Sequence, residues 1–87
     1  MASYDVFLSE SARDEFRGLT LAQQALLAGA VAVLMDDPTP ENPFVMPLDE
    51  FPEYGPRRFG LIWGEITVLF QFANDLVVEV FEVWARD

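Results

Sequence analysis

The 87-residue sequence contains no cysteine, no histidine and no lysine. Without cysteine there is no disulfide framework, no thiolate metal site and no cysteine nucleophile. Without histidine the chain lacks the commonest general base and the commonest zinc ligand. Few residue types therefore remain for catalysis, and we expect neither a cofactor nor a metal.

Positive charge is also scarce. Five arginines stand against 15 aspartates and glutamates, which gives a formal net charge of −10. A chain of this charge repels phosphate backbones at long range, and sequence-independent nucleic-acid binding depends on Lys and Arg displacing counterions. General affinity for nucleic acid is therefore not expected.

Long hydrophobic runs are missing. The longest apolar run covers 11 residues, 25–35, and includes a glycine; a membrane span needs roughly 18 or more. The first ten residues show no basic region followed by an apolar one, so they do not resemble a signal peptide. We predict a soluble, cytoplasmic protein with no membrane partner.

The residues that are present indicate one packed domain over residues 1–87. The chain is long enough for a single modest core, and its 52% hydrophobic content argues against disorder.

Residues 3–8 have the composition of a short strand. Ser9 stands at a helix N-cap position, and that helix is predicted to end at Gly18. Thr20 and Gln23 have capping-box spacing, which predicts a second helix through the apolar run that follows.

All six prolines lie between residues 38 and 56. Because proline has no amide proton to donate and disfavours helical geometry in the residue before it, this stretch is predicted to be neither a helix nor a central strand. We interpret residues 36–56 as one long acidic loop, whose acids lack the spacing of a calcium loop. Its apolar side chains are expected to pin it down by burial: Phe44, Val45, Met46, Leu48 and Phe51.

Three further strands are predicted at residues 58–63, 66–72 and 76–84, which are rich in Val, Ile, Phe and Trp. Gly64 fits the first position of a two-residue hairpin, and residues 73–75 fit a second tight turn. In the middle strand, Ile66, Val68, Phe70 and Phe72 are expected to face the helices. In the last strand, alternation groups Val77, Phe81 and Val83 against Val78, Val80 and Trp84, with both faces apolar, as in an interior strand.

The predicted fold is α+β in the order β-α-α-β-β-β, an antiparallel sheet with two N-terminal helices packed on one face. In this order and spacing the chain resembles the RelE/ParE superfamily of bacterial toxin–antitoxin modules over essentially its whole length. The matching stretches are "FLSESARDEF", "VLMDDP", "PLDEF", "YGPRRF", "ITVLFQF" and "LVVEVFEVWAR". The resemblance implies either ribosome-dependent cleavage of messenger RNA, as in RelE-like members, or poisoning of DNA gyrase, as in ParE-like members. It also implies a cognate antitoxin that wraps the toxin and holds it inactive.

The family's functional residues are only partly matched. Arg58 and Arg86 fit basic positions of the family, whereas Gly60, Ile62 and Thr67 stand where other basic residues are usual. The sequence ends at Asp87, so the tyrosine or histidine that often serves acid/base chemistry near the C-terminus has no counterpart. The resemblance therefore implies reduced or lost nuclease activity.

The remaining candidates for chemistry are few. Arg57, Arg58 and Arg86 are the candidate anion- or RNA-facing residues, and Glu65 and Glu82 are the candidate acid/base residues. For Arg57 and Arg58 the alternative is that they neutralise the acidic loop before them and keep an edge strand soluble.

Three functional classes stay open at this point. The first is an active toxin, either a ribosome-dependent endoribonuclease or a gyrase-directed relative. The label that we favour is a toxin component of a bacterial toxin–antitoxin module, and on residues alone we lean towards a diverged member with reduced or lost nuclease activity. The second is a non-catalytic interaction module of the same fold that binds a second copy of itself or another protein. The third is an acidic partner that covers the nucleic-acid surface of a basic protein, with binding that weakens steeply as salt is added.

Overall fold

The structure is a computed structural model that describes residues 3–48 and 58–86. The elements run β1 (Asp5–Leu8), α1 (Glu10–Arg17), α2 (Leu21–Asp36), β2 (Val45–Pro47), β3 (Arg58–Trp63), β4 (Ile66–Asn74) and β5 (Val77–Ala85). The strands form one sheet in the order β1-β5-β4-β3-β2. The predicted α+β fold, with two helices ahead of a three-stranded meander, is confirmed.

The sheet differs from the prediction at two points. It is mixed rather than antiparallel, because β1 pairs with β5 in parallel. It also gains an edge strand, β2, which pairs antiparallel with β3 inside the stretch that we interpreted as loop. The edge position explains how Pro47 can belong to a strand, since the outer side of an edge strand needs no amide donor.

Local hydrogen bonds set the helix ends where the sequence places them. The Ser9 hydroxyl accepts from the Ala12 amide at 3.1 Å, and α1 ends at Gly18. Thr20 and Gln23 form a reciprocal capping box. Neither helix in the part that the structure describes is long and apolar enough to cross a membrane.

Both helices pack on one side of the sheet, which we call the helix face; the opposite side is the outer face. The core between helices and sheet is built from aliphatic side chains and one phenylalanine. Its fully buried members include Ala12, Leu27, Ala30, Leu34, Leu61, Ile66, Val68, Phe70, Val78 and Val80. Of the predicted helix-facing set of the middle strand, Ile66, Val68 and Phe70 are buried in this core, and Phe72 packs against it while half-buried.

A β-bulge interrupts the pairing of β4 with β5. Leu69 lies opposite Glu82, but the next residue, Phe70, lies opposite Val80, so Phe81 is the extra residue. The bulge inverts the side-chain alternation after it. Val83 consequently joins the buried core, and Trp84, which is 48% exposed, lies on the outer face. The predicted grouping of these two side chains was wrong for this reason.

The turns follow the sequence closely. Gly64 begins the β3–β4 hairpin with φ +62°, as a primed two-residue turn requires. The second turn falls slightly later than predicted, at Asp75 and Leu76, where the Asn74 side chain accepts from the Leu76 amide at 2.9 Å.

Of the residues expected to anchor the predicted loop, Val45 and Leu48 are buried, whereas Phe44 and Met46 are exposed; Phe51 lies outside the described residues.

Candidate functional site

Four strands contribute to one row of side chains across the outer face. Strand pairing aligns Arg58 with Gln71, Gln71 with Glu79, and Glu79 with Phe7. Gln71 Nε2 donates to Glu79 Oε1 at 2.7 Å. The Arg58 guanidinium lies 4.9 Å from the centre of the Phe81 ring, a distance suited to a cation–π contact. Arg58 is thus held against the sheet by an aromatic neighbour on the outer face.

A second row lies nearer the β3–β4 hairpin and is uncharged. Here Ile62 pairs with Thr67, and Thr67 pairs with Trp84. Ile62 is 46% and Trp84 is 48% exposed. This row therefore presents an uncharged surface in which Ile62 and Trp84 are the exposed apolar side chains.

Arg86 lies at the hairpin end of the sheet, far from Arg58. Its backbone amide donates to the Glu65 carbonyl at 2.7 Å, so Arg86 and Glu65 are neighbours through their main chains. Arg58 pairs with Gln71, whereas the residue before Arg86 pairs with Ile66. These two partners are five positions apart on β4, a distance of about 17 Å along the strand.

The other two predicted site residues, Glu82 and Arg57, do not connect Arg58 with Arg86. Glu82 is half-buried on the outer face, opposite Leu69 and therefore between the two ends. Arg57 lies outside the described residues. The structure thus brings Glu65 together with Arg86 and leaves Arg58 and Glu82 apart from them.

Sequence reasoning missed a groove between α1 and α2. It has a volume of about 580 Å³, an apolar floor that includes Phe16, Leu27 and Val31, and Arg13 and Arg17 at its rim. Arg17 pairs with Asp14 at 2.6 Å, and Arg13 Nε donates to the Leu8 carbonyl at 3.2 Å. The signal in the sequence is the i, i+4 spacing of the two arginines, in a chain that has few other cations.

The acidic side chains that the structure describes do not converge on a metal site. Across residues 3–48 and 58–86 no group of three carboxylates is placed to hold a metal ion.

Comparisons with known proteins show similarity in structure only. No family model matches the sequence, and no curated protein matches it. A chain of the toxin–antitoxin complex RelBE2 from Mycobacterium tuberculosis superposes with a TM-score of 0.80 at 20% identity, covering 98% of this chain and all of that one. The chain has a RelE-like toxin fold. A chain of the archaeal RelE-RelB complex from Pyrococcus horikoshii agrees, with a TM-score of 0.72 at 17% identity, covering 97% of this chain and 96% of the other.

Proposed function

We propose that this RelE-like chain is a component of a toxin–antitoxin module that acts through protein partners and has lost most or all ribosome-dependent cleavage of messenger RNA. The observation that carries the proposal is the outer face, where the row Ile62, Thr67 and Trp84 is uncharged and exposes two large apolar side chains. The resemblance to RelE-like toxins leads us to expect cations on that face.

Cleavage of a phosphodiester by a neighbouring 2′-hydroxyl needs a base, an acid and cations around one phosphate. The base must come within about 2.6–3.2 Å of the proton it takes. Arg58 and Arg86 lie at opposite ends of the sheet, with their strand positions about 17 Å apart along β4, and the Arg58 guanidinium is held at the Phe81 ring. The two arginines are therefore not placed as a pair around one phosphate. The net charge of −10 also opposes approach to a ribosomal surface that is rich in phosphate.

Partner binding has support of a different kind. Both structural neighbours were solved as toxin–antitoxin or RelE-RelB complexes. The groove between α1 and α2 combines an apolar floor with Arg13 and Arg17 at the rim. A partner segment with apolar side chains flanked by carboxylates matches this groove in both polarity and charge, and we propose that an antitoxin supplies such a segment.

Induced expression in a bacterial host tests the loss of cleavage. We expect normal growth and intact messenger RNA while the protein accumulates in soluble form, with an active RelE-type toxin as the positive control. The Arg58→Ala, Arg86→Ala double variant is the matched comparison. Growth arrest that this double variant relieves would contradict the proposal and would assign the two arginines a role in cleavage.

A second candidate function is self-association through the outer face. It is favoured by the exposure there of Ile62 (46%) and Trp84 (48%), which lie on either side of Thr67 in one row, because contiguous exposed apolar patches mark interaction sites. Sedimentation equilibrium distinguishes this candidate. A dimer that Trp84→Arg dissociates would support it, and a monomer over the whole concentration range would reject it.

A further inference from the structure

A second cleft opens at the end of the sheet remote from the β3–β4 hairpin. It measures about 490 Å³ and lies between the segment at Thr39 and Pro40 and the β4–β5 turn at Asn74 and Asp75. Its remaining lining residues are Phe59, Phe72 and Ala73. None of these seven lining residues is basic, and the functional site described above uses none of them.

The floor of this cleft is aromatic and preorganised. The Phe59 and Phe72 rings meet edge to face with their centres 5.8 Å apart, and Tyr4 meets Phe72 in the same way at 6.3 Å. Both phenylalanines are only half-buried. A ring face that is partly open to solvent attracts a cation placed within about 6 Å of its centre.

The rim supplies acceptors and negative charge. Asp75 is exposed at the tip of the turn. On the opposite side, Thr39 is held by Asp37, whose Oδ1 accepts from both the amide (3.0 Å) and the hydroxyl (2.6 Å) of Thr39. Asp75 is the one acidic residue among the seven that line the cleft. The rim therefore offers one carboxylate beside an aromatic floor.

We propose that this cleft receives an arginine side chain of a basic partner protein. A guanidinium group stacks on aromatic faces and donates to a carboxylate in a fixed geometry, which matches the Phe72 ring beside Asp75. The net charge of −10 steers a basic partner towards the chain. An exposed ion pair alone contributes little to binding, so the ring contact is an essential part of the site.

The inference does not rest on toxin–antitoxin function, and its test involves neither the ribosome nor an antitoxin. The probe is a capped decapeptide of alternating arginine and glycine, titrated into the full chain and followed by amide resonances in NMR spectra. We expect the largest shifts at Thr39, Ala73, Asn74 and Asp75. The corresponding lysine peptide is expected to bind more weakly, since an ammonium group lacks the planar stacking surface.

Two variants that each remove one negative charge distinguish binding at the cleft from non-specific attraction of the peptide to an acidic protein. Asp75→Asn is expected to weaken binding about threefold, as the loss of one exposed ion pair predicts. Asp14→Asn removes one charge from an exposed side chain of α1 and is expected to leave binding of the arginine peptide nearly unchanged. Equal weakening by both variants would overturn the proposal in favour of non-specific attraction. Largest shifts outside the cleft, or no binding at low salt, would overturn it as well.

Discussion

The Glu15 side chain in α1 accepts a hydrogen bond from the backbone amide of Val83 in β5 at 3.0 Å, across 68 residues of sequence. β1 runs beside β5 only as far as Leu8, which pairs with Val80. Beyond that point β5 has no strand neighbour on this side, and Glu15 takes the place of the missing backbone acceptor. The Ser9 amide donates to the Val80 carbonyl at 2.8 Å in the same region.

Replacing Glu15 by alanine is expected to lower the free energy of unfolding by about 1–3 kcal/mol, because the amide of the buried residue Val83 would lose its acceptor. Urea denaturation measures the change. Glu15→Gln keeps a side-chain oxygen that can accept and is the matched control, expected to retain most of the stability. Equal losses for the two variants would show that the negative charge, rather than the hydrogen bond, is responsible.

Gly29 in α2 allows the Trp63 indole to pack directly on the helix backbone. A Cβ atom at Gly29 would lie 2.8 Å from Trp63 Nε1, and the Trp63 ring is held on its other side by Phe44, with ring centres 5.3 Å apart. A helical Gly→Ala change normally gains about 0.5–1 kcal/mol. Here we expect a net loss, because overpacking costs about 1–3 kcal/mol.

The test of this packing is a double-mutant cycle read out by chemical denaturation. Gly29→Ala is expected to destabilise the wild-type chain but to be neutral or stabilising in the Trp63→Phe background, where the smaller ring leaves room for the methyl group. If Gly29→Ala were equally destabilising in both backgrounds, the contact with Trp63 would not be the cause.

Gly64 is required by its backbone conformation rather than by lack of space. Its φ is +62°, and an added Cβ would meet the Leu26 side chain at 3.4 and 3.5 Å, close to ordinary van der Waals contact. Gly64→Ala is expected to cost roughly 1–2 kcal/mol, measured as a lower urea midpoint. Gly64→Asn is expected to cost less, because asparagine adopts left-handed geometry more readily. A larger loss for asparagine than for alanine would point to crowding instead.

Features set by neighbours in sequence were predictable, and features set by distant pairing were not. The helix caps at Ser9 and Thr20 were predicted correctly because each uses an amide three residues away. Strand β2 was missed because only its pairing with β3 makes it a strand, and its composition is that of a proline-rich loop. The bulge at Phe81 was missed because strict alternation cannot reveal an extra residue.

The arrangement of the candidate site follows from the meander. Strand β3 begins at Arg58, and β5 ends just before Arg86. In three consecutive antiparallel strands, the start of the first and the end of the third lie at opposite ends of the sheet. Their separation was therefore implicit in the predicted order of strands. The groove between α1 and α2 was not, because it depends on how the two helices pack against each other and on β1.

The apolar row on the outer face can be converted into a cationic one. The variant Ile62→Arg, Thr67→Arg places two cations beside each other on paired strands and changes the net charge from −10 by two units. We expect this variant to bind single-stranded RNA measurably at low salt, where the wild-type chain does not. The affinity should fall with a log–log salt slope of roughly −1.4, since each phosphate contact to a single strand contributes about −0.7.

The matched control for this gain of binding is Ala25→Arg, Ala32→Arg, which adds the same charge at exposed positions of α2. If reduced repulsion alone explained RNA binding, the two double variants would bind alike. Binding confined to Ile62→Arg, Thr67→Arg would show that the outer face has the shape to receive an RNA strand and lacks only the cations. Failure of that variant to bind, with its fold intact by circular dichroism, would mean that the face does not accept RNA even when it carries cations.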